Sequence, residues 1–328
     1  MALTSAGHFR PWQLNQLAVA VFVGCTVCSC TVGREDIDAS ARLRGTVSLV
    51  EEVRAFGKSL GIEPTAALSQ TTENASPLSM LWVWMQRAGT LALNGPVDIR
   101  MAIGFFTVKE RLKLEQVYRV DGYSVYYRQG NEFAESRSVM TVGFAQEGTL
   151  QRVKIILHED LHGDKNFALP WEIEEAIITP LGSLAAVEFF KRIDDAENLK
   201  RALASIDEDR KVSRELNELA KEAERLLLMD SLEEAKNKIL VRIPFYANYS
   251  RQFQRQIAGQ NPSTALEAKL SHDLAYYRYF DTIVGLSERA PDLRTLIEDF
   301  KNLSPGATKA AVETYLRDLN SKYRAAVQ

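Results

Sequence analysis

The sequence predicts an α+β protein that is mostly helical, with a small sheet in the N-terminal half and a helical C-terminal half. Apolar residues recur at helical spacing near the start, short extended runs follow before residue 130, and helical spacing returns from residue 149 onwards. With 328 residues, 46% of them hydrophobic and 25% charged, the chain is long enough for one large core. A net charge of -3, with no block of lysines or arginines, argues against nucleic-acid binding.

The N-terminal half is predicted as one helix followed by extended segments. Apolar side chains keep helical spacing over 36–60, where a glycine and a proline then end the helix. The apolar run 80–85 contains two tryptophans, which favour a strand. Further extended segments are predicted at 102–106 and 123–127, with a charged helical segment between them at 108–118.

The C-terminal half is predicted to be helical throughout. A buried helix is expected over 149–162, and Pro170 suits the first turn of the next helix, 171–193. Pro180 lies inside that second helix and is expected to kink it or split it in two. The strongly charged stretch 194–241 has one apolar stripe, which predicts helix with a solvated face. Three more helices are expected, over 263–287, 292–303 and 306–328.

The first 30 residues are predicted to be a secretory leader. From residue 12 to 33 the chain has no charged side chain, and the segment 17–24 is apolar. Arg10 supplies the positive charge that precedes the apolar segment of such leaders. An uncleaved membrane anchor is the alternative, since the apolar length is just adequate. Both interpretations place the globular part outside the cytoplasm.

The three cysteines refine this prediction. Residues 27–30 resemble a bacterial lipobox, in which the last cysteine, here Cys30, is lipidated and becomes the new N-terminus. Residues 22–25 would select Cys25 but match less well, because phenylalanine replaces the usual aliphatic residue. We therefore expect a protein of the bacterial envelope, facing the periplasm and held at the membrane by a lipid on Cys30. Residues 31–328 are expected to form one domain, made of an α+β lobe, a pair of site helices and a helical lobe over 36–148, 149–200 and 201–328.

The most informative stretch is 158–162, which reads His-Glu-Asp-Leu-His and has the H-E-x-x-H pattern. Histidines four residues apart share a helix face, so the imidazoles of His158 and His162 can bind one metal ion. Glu159, beside the first histidine, can accept a proton from an attacking water molecule. Once the leader is removed only three histidines remain, and His272 is the third. The alternative is that these are structural histidines of the core.

A catalytic zinc site needs a third protein ligand and one open position. The segment 171–176 offers the carboxylates of Glu172, Glu174 and Glu175, and the residues themselves leave the choice open. Asp160, inside the motif, is expected to be solvated or to support the ligands instead of binding the metal.

Several stretches of the chain resemble, in the same order, a bacterial family labelled as aminopeptidases, which are secreted or lipid-anchored zinc proteins of gluzincin type. The resemblance runs from Gly45 to about Leu303. The most specific match is a glutamate thirteen residues after the second histidine of the motif, which is Glu175 here. The matching stretches are 49–57 with the pattern L-x-x-E-x-R-x-F, 60–62, 122–126 with G-Y-x-V-Y, 156–162, and 174–175.

The resemblance implies a zincin-like metallopeptidase domain that acts on peptides, with aminopeptidase activity. It implies that His158, His162 and Glu175 bind Zn²⁺ and that Glu159 is the general base. A free-amine preference would need a carboxylate near the site, for which Glu174 is a candidate together with Glu172.

An oxyanion stabiliser must also face the metal during peptide hydrolysis. His272, Tyr276 and Tyr277 are candidates on the late helix, and the spacing puts His272 and Tyr276 on the same face. We therefore assign His272 and Tyr276 as candidate catalytic residues beside Glu159.

The chain departs from the family pattern at three places. Glu174 replaces an asparagine, the loop 132–136 lacks the family's tyrosine, and paired asparagines are missing near Glu267. A protein that binds zinc without catalysis is thus an alternative. The second hypothesis is a zinc-stabilised envelope protein that binds a peptide or protein partner.

Overall fold

The computed structural model describes residues 34–65, 68, 70–71, 80–91, 100–105, 116, 122–130, 139–140, 142–164, 167 and 169–327. Within this part of the chain the fold is α+β and mostly helical, as the sequence predicted. The leader with Cys25 and Cys30 and the loop 132–136 lie outside the described residues, as does the segment 108–118 apart from residue 116. No helix among the described residues combines the length and the apolar character that crossing a membrane requires.

Helices account for most of the described chain, and the described part after residue 149 is helical, as predicted. They are α1 Arg34–Ser59, α2 Val142–Gln146, α3 Thr149–Gly163, α4 Trp171–Arg192, α5 Ala196–Met229, α6 Leu232–Arg242, α7 Ala247–Gln256, α8 Pro262–Tyr277, α9 Phe280–Ser287, α10 Leu293–Lys301 and α11 Lys309–Val327. A 3₁₀ turn, Ile243–Phe245, joins α6 to α7.

Among the described residues, the strands form two small sheets. They are β1 Gln70–Thr71, β2 Met80–Arg87, β3 Arg100–Phe105, β4 Tyr123–Gly130 and β5 Val139–Met140. β1 and β5 make a short parallel pair, and β2 lies between β3 and β4 in an antiparallel sheet. The register of β2 and β4 runs from Met80 opposite Gly130 to Arg87 opposite Tyr123. The predicted extended segments are therefore strands of one sheet.

Side chains alternate between the two faces of this sheet, as its pleat requires. Trp84 and Tyr126 belong to the core cluster that α5, α6, α7 and α8 form, so one face of the sheet packs on the helices. The other face carries a small cluster of its own, formed by Val83, Met85, Tyr123, Val125 and Tyr127.

The outer edge of β4 is occupied by a side chain at one point. The Tyr127 N–H donates to Gln260 Oε1 at 2.8 Å, and Gln260 Nε2 donates to the Tyr127 carbonyl at 2.9 Å. The amide of Gln260 thus takes the place of a neighbouring strand at that residue.

The larger core cluster joins the first helix to the last ones. Buried side chains of α1, α3 and α4 pack with those of α9, α10 and α11, among them Val53, Leu157, Leu181, Phe300 and Val312. This arrangement fixes α3 and α4 between the two ends of the chain.

Two expectations about helix breaks were tested. Of the two outcomes expected at Pro180, a split was wrong, because α4 runs unbroken from Trp171 to Arg192; the kink stays a prediction. The single helix predicted over 263–287 is instead α8 and α9, with a break at residues 278–279. Ser213 Oγ of α5 donates to the Tyr277 carbonyl at 2.6 Å, and Asn217 Nδ2 donates to the Arg278 carbonyl at 3.0 Å. Tertiary hydrogen bonds therefore satisfy the carbonyls where α8 ends.

Candidate metal centre

The predicted ligands lie where α3 packs against α4. A Cβ added at Gly182 of α4 would lie 3.3 Å from the Cα and N atoms of His158. Glycine lets the two helices approach closely at the first histidine of the motif. The other face of α3 is anchored in the core by Val153, Ile156, Leu157 and Leu161.

The structure brings together the three residues that were predicted to bind a metal. His158 Nε2 lies 3.3 Å from Glu175 Oε2, and His162 Nε2 lies 3.2 Å from Glu175 Oε1. One ligand atom from each of these residues lies within 4.8 Å of the others. Two imidazole nitrogens and one carboxylate are a donor set that catalytic zinc sites use. We refer to His158, His162 and Glu175 as the metal group.

Glu175 is buried at the centre of the metal group. Burial by itself would raise the pKa of its carboxyl, but His162 and His158 hold that pKa well below its usual range. Glu175 Oε2 accepts no hydrogen bond from the described residues, although His158 lies beside it. A buried carboxylate oxygen without a hydrogen bond fits the role of a metal ligand, because it has an acceptor site left for a cation.

Glu174 holds the second histidine from its other side. His162 Nδ1 lies 2.7 Å from Glu174 Oε1, which leaves Nε2 facing Glu175. Burial would lower the pKa of His162, but the Glu175 and Glu174 carboxylates raise it well above its ordinary value. A carboxylate on the far nitrogen of a ligand histidine fixes its tautomer and ring orientation. From the sequence, Glu174 was predicted to bind the free amine of a substrate. Its contact with His162 was not predicted.

Asp160 is buried and does not join the metal group. Its Oδ1 accepts hydrogen bonds from the Thr65 N–H at 2.9 Å and the Thr65 hydroxyl at 3.0 Å. Arg54 of α1 donates to both its oxygens, at 3.3 and 3.4 Å. Burial raises the pKa of Asp160 despite these partners. Asp160 therefore ties α3 to α1 and to the segment after it, and the expectation of a solvated side chain was wrong.

Glu159 is half-buried beside the metal group. Its negative charge contributes to the raised pKa of both His162 and Tyr276. This is the neighbourhood in which a proton acceptor for an attacking water molecule is needed.

Tyr276 of α8 reaches the metal group. Its hydroxyl lies 3.5 Å from Glu175 Oε1. Burial, followed by the charge of Glu175, raises the pKa of Tyr276, so the hydroxyl keeps its proton and can donate. Tyr277, the other tyrosine considered, lies against Asp209 instead, at 3.5 Å.

His272 packs one turn behind Tyr276, with ring centroids 5.0 Å apart. Its Nδ1 lies 2.9 Å from Asp273 Oδ1, and burial lowers the pKa of His272 to about 4. The ring is therefore neutral near pH 7 and carries its proton on Nδ1, because the carboxylate of Asp273 can only accept. Nε2 then has no proton to donate to an oxyanion, which favours Tyr276 for that role. The assignment of His272 as catalytic stays a prediction.

His272 belongs to a buried network that we call the α8 cluster, formed by Lys269, His272, Asp273, Tyr249 and Gln256. Asp273 pairs with Lys269 and accepts from the Tyr249 hydroxyl at 2.8 Å. Lys269 Nζ also donates to Gln256 Oε1 at 2.7 Å. The carboxylate of Asp273 and the ammonium group of Lys269 thus have partners inside the protein.

Comparison of the chain with protein-family models, with curated proteins and with solved structures found no match. The family resemblance and the zincin-like fold therefore stay predictions.

Proposed function

We propose that this protein is a zinc-dependent peptidase with a zincin-like domain, and that it acts on the N-terminal end of peptides. The observation that carries the proposal is the convergence of His158, His162 and Glu175 within 4.8 Å. Glu159 and Tyr276, which could move a proton and donate a hydrogen bond, lie beside them. Zn²⁺, when bound there, supplies Lewis acidity that acidifies water and polarises a carbonyl group.

The chain's own residues would perform the remaining steps. Glu159 takes one proton from the water molecule as its oxygen attacks the scissile carbonyl carbon. Tyr276 donates a hydrogen bond to the oxygen of that carbonyl as negative charge develops on it. When the C–N bond breaks, Glu159 returns the proton to the leaving amine. Glu174 holds the His162 ring, with Nε2 facing Glu175, during all of these steps.

The proposed location is the bacterial envelope, with a lipid on Cys30. It is supported by the sequence of the leader alone, since residues 1–33 lie outside the described part of the chain.

Zinc content and peptide cleavage, measured on the same preparations, test this function. Wild type is expected to hold stoichiometric zinc and to cleave peptides with a free amine in preference to their N-acetylated forms. Glu159→Gln is expected to keep the zinc and to lose a factor of about 10² to 10⁴ in turnover, because the proton acceptor is gone. Glu175→Ala is expected to lose the zinc.

Two results would contradict the proposal in different ways. Stoichiometric zinc without cleavage by any form would support the zinc-stabilised binding protein. If wild type takes up no zinc, both the peptidase and the zinc-stabilised binding protein are refuted.

A further inference from the structure

Strand β4 lies along α8, and the contacts between the two elements repeat at regular steps. Alternate residues of a strand share a face, and residues four apart share a helix face. Ser124 Oγ of β4 accepts a hydrogen bond from the Ala268 N–H of α8 at 3.2 Å. Two residues further along the strand and four further along the helix, the rings of Tyr126 and His272 have centroids 5.1 Å apart. Two strand residues span about 6.6 Å and four helical residues about 6 Å, so a third contact is expected one step further on.

The third contact joins Arg128 to Tyr276. The guanidinium carbon of Arg128 lies 5.8 Å from the centre of the Tyr276 ring. A hydrogen bond joins the two side chains. Because a guanidinium has donors and no acceptor, the hydroxyl oxygen of Tyr276 must accept this bond. Arg128 is therefore engaged with the tyrosine that reaches the metal group.

This hydrogen bond restricts the direction of the Tyr276 O–H bond. A hydroxyl hydrogen turned towards Arg128 would face the hydrogens of a cation, which repel it. The O–H is therefore turned away from Arg128, and Glu175 Oε1, an acceptor in the metal group, lies 3.5 Å from the hydroxyl oxygen. A donor that stabilises an oxyanion must already point to the place where the charge develops. Arg128 supplies that preorganisation.

Arg128 also affects the strength of the hydroxyl as a donor. Burial, followed by the charges of Glu175 and Glu159, raises the pKa of Tyr276, and Arg128 acts in the opposite direction. Hydrogen bonds in a chain polarise one another, so an N–H donor on the hydroxyl oxygen makes the O–H group a stronger donor. A positive charge on one side of Tyr276 therefore favours a negatively charged oxygen at its O–H group.

We propose that Arg128 is a positioning residue for peptide hydrolysis, which holds the Tyr276 O–H towards the metal group and strengthens it as a donor to the oxyanion. The inference rests on the proposed peptidase function. Arg128 does not contact the substrate in this proposal and acts only through the Tyr276 hydroxyl. Its contribution must therefore disappear when that hydroxyl is removed.

Arg128→Met tests the first part of the proposal, because methionine keeps an apolar stem and has neither the charge nor the N–H donors. The turnover number kcat is expected to fall about tenfold, as for the loss of one charged hydrogen bond. KM is expected to change little, since the lost interaction acts in the transition state. Zinc content is expected to stay stoichiometric. Arg128→Lys, which restores a charged donor, is expected to recover part of the loss.

A double-mutant cycle with Tyr276→Phe tests the route of the effect. In the Tyr276→Phe background, Arg128→Met is expected to lower kcat no further, whereas a general structural role would give the product of the two losses. Arg87→Met is the matched control. Arg87 is also exposed and donates to a tyrosine hydroxyl, that of Tyr123 at 3.3 Å, at the other end of β4. This control is expected to keep the kcat of wild type.

The same cycle, measured by denaturant unfolding of the zinc-free protein, provides a readout that does not depend on activity. The double variant is expected to shift the unfolding midpoint by less than the sum of the single shifts of Arg128→Met and Tyr276→Phe. Additive midpoint shifts would show that the guanidinium does not bond to the hydroxyl, which would overturn the inference.

The kinetic results keep this inference separate from the proposed function. Cleavage by wild type with an unchanged kcat in Arg128→Met, or with independent losses in the double variant, would retain the peptidase and overturn the role of Arg128. Coupled unfolding without any cleavage by wild type would refute the peptidase and retain only the contact that orients Tyr276.

Discussion

The metal group and the α8 cluster both contain histidine and acidic side chains, but they differ in how completely the protein satisfies the carboxylate at the centre of each. In the α8 cluster, the carboxylate of Asp273 has Lys269, His272 and Tyr249 as partners. In the metal group, Glu175 Oε2 accepts no hydrogen bond from the described residues. The imidazoles of His158 and His162 both face the Glu175 carboxylate there.

The contrast separates charges that are paired inside the protein from charges that can still bind a ligand. A buried ion pair that is completed internally holds helices together and leaves nothing for a ligand. A cluster with donor atoms still available has room for a ligand that the chain does not contain. Proximity of ionisable residues is therefore a weaker guide to function than the balance of donors and acceptors among them.

The largest expected effect comes from breaking the α8 cluster. Asp273→Asn leaves the Lys269 ammonium buried without its counter-charge, which is expected to lower the free energy of unfolding by about 3–5 kcal/mol. Denaturant unfolding of the zinc-loaded protein measures this loss. Zinc content is expected to stay stoichiometric, since Asp273 does not touch the metal group.

A surface ion pair provides the control for that measurement. Glu313→Gln removes the partner of Lys309 in an exposed pair and is expected to cost less than about 1 kcal/mol. Equal destabilisation by the two variants would refute the distinction between the clusters.

The next effect depends on pH and on His272. Its pKa is about 4 in the folded protein against an ordinary 6.5, so the folded state binds fewer protons than the unfolded state between those values. The stability it contributes is fully present above pH 6.5 and is lost as the pH falls towards 4, by about 3 kcal/mol. His272→Asn, whose amide can replace Nδ1 as a donor to Asp273, is expected to flatten this part of the stability profile.

Unfolding free energies at several pH values between 4 and 7 test the assignment. If the unfolding free energies of wild type and His272→Asn fall in parallel as the pH is lowered, His272 is not the group responsible for the loss of stability.

The smallest expected effect concerns the metal group. Glu174→Gln replaces the carboxylate on His162 Nδ1 by a neutral amide, and zinc affinity is expected to fall about 10- to 100-fold. Competition with a chelator measures the affinity. Glu188→Gln, on the same helix but exposed and paired with Lys191, is expected to leave zinc affinity as in wild type. An unaltered affinity in Glu174→Gln would mean that the 2.7 Å contact does not support the ligand.

Local patterns were sufficient to predict most of the fold and the centre of the candidate site. The i, i+4 spacing of His158 and His162 and the periodicity around them depend only on neighbours along the chain. The choice of Glu175 as the third ligand depended on the family resemblance, because three glutamates lie at the start of α4. The break between α8 and α9 could not be predicted, since it depends on Ser213 and Asn217 of a distant helix. The pairing of Asp160 with Arg54 was missed for the same reason.

Gln260 gives the sheet a further property, which concerns association. An exposed strand edge is where an extended chain adds itself to a sheet, whether it belongs to a peptide or to a second copy of the protein. At Tyr127 both main-chain groups on that edge are already bonded to the Gln260 amide. A peptide crossing β4 there must be recognised by side chains, without a main-chain ladder, and two copies cannot join their sheets at that residue. One glutamine amide thus blocks the addition of a strand to β4 at this residue.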